Sequence, residues 1–214
     1  MRMMRITHYT VVALLLATSL RAQTPSTAAA ITEKADTPQA HVYVATLLPH
    51  TPSRSANGHA TNRVLIYLDD GVMTRTVGTT APQTIVFHRG DVLWRPASAA
   101  YVAENTSDRP IRILEVDLKG KPSGPAPATQ LDPIVVDAKH YKVELENEQV
   151  RVLRVHYEAH DKGALHQHML NRVVVYLNDQ PGAKMDDVRV SGPGTHTEQN
   201  DGDTPANRIA VELK

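Results

Sequence analysis

The chain has 214 residues, carries 23 basic and 23 acidic side chains, and contains no cysteine. The balanced charge gives no electrostatic reason to expect binding to nucleic acid or to an anionic membrane surface. Disulfides and thiolate metal sites are excluded without cysteine, so any metal must be held by histidine, carboxylate or water ligands.

The first segment, residues 1–22, has the order of features found in a secretory signal peptide. Arg2 and Arg5 supply positive charge, residues 11–16 form a short apolar run, and Ala22 offers a small residue for cleavage. The apolar run is too short to span a membrane as a helix. We therefore predict an exported protein, periplasmic or secreted, with no stable membrane insertion of the mature chain.

The next segment, residues 23–40, is rich in Ala, Thr, Pro and Gln and has no apolar period, which predicts a disordered tether. From residue 41 the pattern becomes that of short β-strands separated by Gly, Pro, Asn and Asp. The predicted strands are residues 41–48, 63–68, 72–77, 84–88, 92–94, 99–104, 111–118, 142–146 and 149–157. The last of these alternates valine with arginine, as a half-buried strand does. No segment has a convincing helical apolar period, so the sequence predicts an all-β protein.

Two stretches of sequence occur twice, in the same order. Residues 62–70 (NRVLIYLDD) reappear as residues 171–179 (NRVVVYLND), 109 positions later, and residues 109–119 reappear as residues 204–214, 95 positions later. The second copy of this β module is therefore about 14 residues shorter, the size of one hairpin. The predicted divisions are a first module, a Pro/Gly-rich linker and a second module, at residues 41–119, 120–132 and 133–214.

Several residues of both modules stand at characteristic intervals. In the first module Gly90 is followed after five residues by Pro96, and Tyr101 is followed after three residues by Asn105. In the second module His166 and His168 form an H-x-H pair just before the repeated strand. His196 and Asn200 there have the same interval as Tyr101 and Asn105, so His196 stands where the first module has tyrosine.

These intervals resemble the two sequence motifs of the cupin superfamily, and specifically of two-module cupins. The resemblance implies two jelly-roll modules (double-stranded β-helices), with a first module that has lost its metal-site residues. It also implies that His166, His168 and His196 are metal ligands. The sequence departs from the family at Arg172, which stands where the glutamate of the first motif belongs.

The physical properties of the three histidines agree with a metal site. Alternate side chains of a strand share one face, so His166 and His168 project the same way, and His196 can reach them from a neighbouring strand. Neutral imidazoles suit a divalent transition metal, with Fe, Mn, Zn, Ni and Cu not distinguished, and they leave positions open for water or substrate.

Four other residues of the second module are predicted to lie in the pocket, as ligand-binding or structural groups: Arg172, Tyr176, Glu198 and Asn200. Glu198 could neutralise Arg172 or replace the missing carboxylate ligand. Alternatively, Arg172 awaits an anionic ligand, to which its forked donors are suited.

The first module has His59, Arg63 and Tyr101 at the positions of His168, Arg172 and His196. A single histidine cannot hold a catalytic metal, so we predict that the first module is metal-free. An arginine that is present with and without the histidines is predicted to have a role independent of metal, most simply a salt bridge within each barrel. Each arginine should lie within hydrogen-bond reach of an acidic side chain or a backbone carbonyl of its own barrel.

Three functions are compatible with these features. The first is a protein that binds a metal ion, a small molecule or both in the second module without turnover. The second is a metal-dependent enzyme, of the oxygenase or isomerase type that the resemblance permits, acting on a small anionic substrate. Tyr176 and Glu198 would then be acid–base candidates. The third is a structural protein whose barrels are filled and serve oligomerisation; a homo-oligomer is compatible with all three.

Overall fold

The computed structural model describes residues 30–55, 58–121 and 124–214, and the regular secondary structure of these residues is almost entirely β-strand. The predicted signal peptide, residues 1–22, lies outside the described residues. The prediction of an all-β fold is confirmed, since the helix found there, α1 (Pro133–Val136), has four residues. No helix among the described residues is long and apolar enough to cross a membrane.

The first module contains two sheets that face each other. Its strands are β1 (Ala30–Asp36), β2 (Ala40–Leu47), β3 (Pro52–Ser55), β4 (Arg63–Tyr67), β5 (Gly71–Val77), β6 (Gln83–Phe87), β7 (Val92–Arg95), β8 (Tyr101–Asn105) and β9 (Ile111–Leu118). One sheet has the order β1-β2-β9-β4-β7 and the other the order β3-β8-β5-β6. Apolar side chains of both sheets, including Leu65, Met73 and Ile113, pack together between them.

The second module repeats this plan with fewer strands. After α1 come β10 (Tyr141–Glu146), β11 (Val150–Tyr157), β12 (His166–His168), β13 (Asn171–Tyr176), β14 (Val188–Ser191), β15 (Gly194–His196) and β16 (Ala206–Leu213). The large sheet has the order β10-β11-β16-β13-β14, which matches the large sheet of the first module strand for strand. The opposing sheet consists of β12 and β15 alone.

The second module lacks the hairpin that β5 and β6 form in the first. Residues 71–87 hold that hairpin between β4 and β7, whereas residues 177–187 connect β13 to β14 through turns without a strand. The prediction that the second module is shorter by about one hairpin is confirmed. Asp186 of this connection accepts hydrogen bonds from two arginines of the first module, Arg89 at 2.5 Å and Arg112 at 2.7 Å.

The two large sheets pack face to face across a single apolar core. Its side chains come from both modules, for example Val64 and Ile66 of β4, Val173 of β13 and Val211 of β16, all 0% exposed. The intervening residues of these strands face the interior of their own module, so the central strands are buried on both sides. The interior-facing residues are the ones that form the two candidate sites.

Two predictions of the sequence analysis are wrong in this part of the chain. The tether predicted for residues 23–40 contains β1, which pairs antiparallel with β2. The side chains of β1 are mostly exposed, so the strand is held by its backbone hydrogen bonds to β2. The amino-acid composition of this segment therefore does not indicate a strand. The strand predicted as half-buried, β11, is largely buried on both faces, because Val150 and Val152 face the other module while Leu153 and Val155 face inward.

A truncation in the shared core should destabilise both modules together. We expect Ile66→Ala to lower the free energy of unfolding by about 2–5 kcal/mol, because it leaves a cavity where the large sheets meet. Thermal denaturation followed by circular dichroism should show one transition at a lower temperature. The control Val86→Ala, at a side chain that is 66% exposed, should melt within about 0.5 kcal/mol of the parent. Two separate transitions in either variant would contradict a shared core.

Candidate metal centre

The structure brings the three predicted histidines together. In the antiparallel pair of β12 and β15, His166 stands directly opposite His196, and His168 lies two residues further along the same face. The Nε2 atoms of His166 and His196 are 3.1 Å apart, and one nitrogen of each of the three rings lies within 4.8 Å of the others. This spread is slightly wider than the 3–4 Å expected around a shared ion.

Hydrogen bonds fix which nitrogen of each paired ring faces the cluster. His166 Nδ1 lies 2.9 Å from the carbonyl oxygen of Ala164, and His168 Nδ1 lies 2.8 Å from Glu212 Oε1. Both partners are acceptors, so each Nδ1 carries the hydrogen and each Nε2 keeps its lone pair. The lone pairs are therefore available for a metal, in the manner of metal-bound histidines whose other nitrogen is anchored.

Glu212 is the anchor of His168 and was not identified from the sequence. It is 0% exposed and also accepts a hydrogen bond of 2.6 Å from Arg151, which in turn reaches Asp132 at 2.7 Å. Burial raises the pKa of Glu212, but the hydrogen bonds from His168 and Arg151 outweigh it and hold the pKa below its ordinary value. The sequence offered one indication of its role, namely a carboxylate among the apolar residues at the end of strand β16.

The neutral form is favoured for two of the three imidazoles. Burial lowers the pKa of His166, and burial together with the neighbouring rings and the Arg172 guanidinium lowers the pKa of His196 to about 4. Metal coordination requires neutral imidazoles. The three rings, two of them anchored through Nδ1, fit a divalent transition metal and leave coordination positions on the cavity side.

His168 and His196 border a cavity of about 200 Å³. Its remaining polar lining consists of three arginines, two tyrosines, a serine and a glutamate, namely Arg172, Arg189, Arg208, Tyr141, Tyr176, Ser191 and Glu198. The guanidiniums of Arg189 and Arg208 lie over the Tyr176 ring, 5.1 and 5.4 Å from its centroid. Tyr176 therefore lines the cavity as predicted, whereas Tyr141 and Arg208 come from strands that the sequence did not connect with the site.

Arg172 and Arg63 occupy equivalent positions in the two modules. Arg63 of β4 stands opposite Asp117 of β9, and Arg172 of β13 stands opposite Glu212 of β16. Arg63 makes the predicted salt bridge, with its Nε 3.0 Å from Glu115 Oε2.

Arg172 forms no salt bridge, but it meets the prediction in its other form, a hydrogen bond to a backbone carbonyl of its own barrel. Ala210 stands where the first module has Glu115, so Arg172 instead donates a 2.6 Å hydrogen bond to the Gly192 carbonyl. Within residues 30–55, 58–121 and 124–214, no carboxylate lies within ion-pair distance of its guanidinium.

Glu198 lines the cavity but takes neither of the two roles considered for it. It does not neutralise Arg172 or join the histidines, because it forms an ion pair with Arg208 and accepts a 2.7 Å hydrogen bond from the Tyr141 hydroxyl. The prediction that Asn200 lies in the pocket is wrong, because Asn200 is outside the cavity lining. Its amide donates to the carbonyls of Glu158 and Thr204 at 2.9 and 2.8 Å, so it clamps loops, as Asn105 does in the first module.

The first module has a different polar cluster at the corresponding place. His59 Nε2 lies 3.3 Å from Asp117, and the Tyr43 hydroxyl donates to Glu115 at 3.1 Å. Side-chain atoms of His59, Glu115 and Asp117 lie within 4.8 Å of one another, but the guanidinium of Arg63 already supplies a positive charge beside them. A second cation there would be repelled, so the absence of metal from the first module stays our prediction.

The chain resembles known proteins in its structure but not in its sequence. No protein-family model and no curated protein matches the chain. AerE from Microcystis aeruginosa is 10% identical with a TM-score of 0.62, covering 87% of this chain and 98% of that one. A cupin 2 conserved barrel domain protein from Leptotrichia buccalis is 11% identical with a TM-score of 0.56 (88% and 90% covered), and oxalate decarboxylase is 12% identical with a TM-score of 0.56 (81% and 68% covered). The chain therefore has the cupin fold, as its motif intervals indicated.

Removal of the Arg172 side chain should destabilise the protein even without metal. We expect Arg172→Ala to lower the free energy of unfolding by about 1–3 kcal/mol, because the residue is 9% exposed and its loss removes both the packing of its long side chain and the hydrogen bond to Gly192. Chemical denaturation of the metal-free protein measures this, with the exposed Arg189→Ala as the matched control. If Arg172→Ala unfolds like the parent and only ligand binding suffers, its role is in the site instead.

Acid should release a bound metal at a lower pH than free imidazoles would indicate. A free imidazole has a pKa near 6.5, but the pKa of His196 is lowered to about 4 and that of His166 is lowered as well, so protons displace the metal from these two ligands only at lower pH. We expect zinc to be retained at about pH 5.5 and to be lost as the pH falls toward about 4. Metal analysis after desalting across a pH series measures retention. Loss that is complete at about pH 6 would contradict the lowered pKa.

Proposed function

We propose that the second module holds a divalent transition metal and presents it to a small anionic molecule. The observation that carries this proposal is the convergence of His166, His168 and His196 with two Nδ1 atoms already anchored by acceptors. Histidines that serve only as surface groups are exposed to solvent, whereas His166 and His168 are 0% and 2% exposed and have their rings anchored. Such an arrangement costs desolvation that a bound metal would offset.

A metal in this position would act as a Lewis acid on a ligand that enters from the cavity. The protein's own residues would bind and orient that ligand. The Tyr141 hydroxyl lies 3.1 Å from His166 Nε2 and donates to Glu198, so it limits how far the His166 ring can turn. Glu212 holds His168 and is a positioning residue, because it touches the imidazole and not the cavity.

The charges around the cavity favour an anionic ligand. Three arginines line it and one of them, Arg208, is paired with Glu198, which leaves the charges of Arg172 and Arg189 uncompensated among the lining residues. A divalent metal would add further positive charge. Guanidinium groups bind carboxylates well, and the name of one structural neighbour, oxalate decarboxylase, also refers to a small carboxylate.

The second candidate function is binding of the metal and the anionic ligand without catalysis. The one carboxylate of the described cavity lining, Glu198, is held by Arg208 and Tyr141, so it is less available as a base than a free carboxylate. A purely structural role is disfavoured, because it predicts a filled barrel and the second module contains a cavity of about 200 Å³. With the export signal predicted at residues 1–22, we propose that either function operates outside the cytoplasm.

Metal content of the untagged protein tests the proposal directly. After incubation with zinc or manganese and desalting, we expect about one ion per chain, because three imidazoles form one site. His166→Ala and His196→Ala should abolish retention. His59→Ala should leave it unchanged, since the first module is predicted to be metal-free. Glu212→Gln should weaken the affinity by about 10–100-fold, as loss of an anchoring carboxylate does elsewhere.

The controls separate this site from adventitious binding. His160→Ala removes an exposed histidine that pairs with Asp203 on the surface and should not change the metal content. One ion per chain that survives His168→Ala would overturn the proposed ligand set. For the ligand, calorimetric titration with oxalate should give binding to the zinc-loaded protein and weaker or no binding to His196→Ala. Consumption of the titrated acid would favour the enzyme over the binding protein.

A further inference from the structure

The first module contains a second cavity, of about 70 Å³, between its two sheets. One side is apolar and is formed by Leu65, Met73 and Ile113. The other side is polar and carries arginines and tyrosines. One water molecule occupies about 10–15 Å³ by a comparable measure, so the cavity has room for a molecule of a few heavy atoms.

Three arginines from three different strands converge on this cavity. They are Arg63 of β4, Arg75 of β5 and Arg95 of β7. Glu115 is the one carboxylate of the described lining, and it is already engaged by Arg63 Nε at 3.0 Å and by the Tyr43 hydroxyl at 3.1 Å. Neither Arg75 nor Arg95 has a carboxylate within ion-pair distance in the part of the chain that the structure describes. The cavity is therefore strongly positive.

Two buried polar groups at this cavity lack a partner. Arg63 is 3% exposed and its Nη1 has no hydrogen-bond partner among the described residues, and the same holds for the hydroxyl of Tyr67, which is 2% exposed. A buried donor without a partner is destabilising, because it has lost its hydrogen bonds to water and gained none in the protein. Such groups on the wall of a cavity indicate a site built for an acceptor that is supplied from outside the chain.

The neighbouring aromatic groups hold the arginines in place. The Arg75 guanidinium lies 4.4 Å from the centroid of the Tyr101 ring and donates to Ser98 Oγ at 3.2 Å. Arg63 Nη2 reaches the Tyr101 hydroxyl at 3.3 Å. Burial and the positive charges of Arg95 and Arg63 lower the pKa of Arg75, as expected where like charges are brought together. Tyr101, which stands in place of a metal-binding histidine, thus organises cationic side chains.

We propose that the first module binds a small organic carboxylate without a metal, in the cavity between Arg63, Arg75 and Arg95. The carboxylate group would accept hydrogen bonds from the guanidiniums and from the Tyr67 hydroxyl. A short aliphatic part would pack on Leu65 and Met73. The apolar wall selects an organic acid over an inorganic anion such as phosphate, which would leave that wall in contact with a charged group. This site is independent of the metal proposed for the second module.

Calorimetric titration of the full chain with butyrate tests the proposal. The protein used should carry His196→Ala, which reduces carboxylate binding at the second module. The result then reports on the first module alone, whether or not the function proposed for the second module is correct. We expect butyrate to bind in the presence of a chelator, and Arg75→Gln and Arg95→Gln each to weaken binding by about tenfold or more. Neither arginine has an ion pair to lose among the described residues, so both variants should fold.

Matched variants make the outcome decisive. Arg54→Gln removes an exposed arginine of β3 in the same sheet and should bind butyrate like its parent. Tyr67→Phe removes an unpartnered hydroxyl, so it should weaken butyrate binding without lowering the melting temperature of the free protein. The proposal is overturned if butyrate does not bind, if Arg75→Gln and Arg95→Gln bind it unchanged, or if the neutral isostere butyramide binds equally well. Binding of phosphate in place of butyrate, or a requirement for added zinc, would also overturn it.

Discussion

The contact between the two large sheets is the constraint on which the rest of this structure depends. Because Val64, Ile66, Val173 and Val211 meet there at full burial, the same strands must turn their remaining side chains into the two barrels. Period-two alternation then assigns Arg63 to the inside of its module. The polar clusters are consequently carried by strands that are fixed on their other face, which is how a rigid scaffold positions a site.

Much of the fold could be predicted because the relevant signals are local or repeated. Val64, Leu65 and Ile66 are apolar in succession, which is typical of a strand buried on both faces, and the repeat at residues 171–179 marks the second module. The strand β1 could not be predicted in the same way. Its side chains are mostly exposed and only its backbone is bound, so the composition of residues 30–36 contains no trace of the pairing.

The candidate site was predictable only where its members lie close together in the chain or match a motif. His166 and His168 are two residues apart, and His196 occupies the position of a motif histidine. Tyr141 and Glu212 reach the same cluster from other strands, and no interval in the sequence connects them with it. Arg172 shows how far a comparison of the two modules can be taken. Its position matches that of Arg63, but Ala210 of β16 stands where β9 has Glu115, so Arg172 bonds to a backbone carbonyl instead.

The connection at residues 177–187 has a consequence for how the two modules depend on each other. Asp186 within it is held by Arg89 and Arg112 of the other module, where the first module has a hairpin of its own. A second module expressed alone would lack both arginines, and its large sheet would lose the apolar face on which it packs. The boundary between the repeats in the sequence is therefore not a place at which the protein can be cut into two independently stable halves.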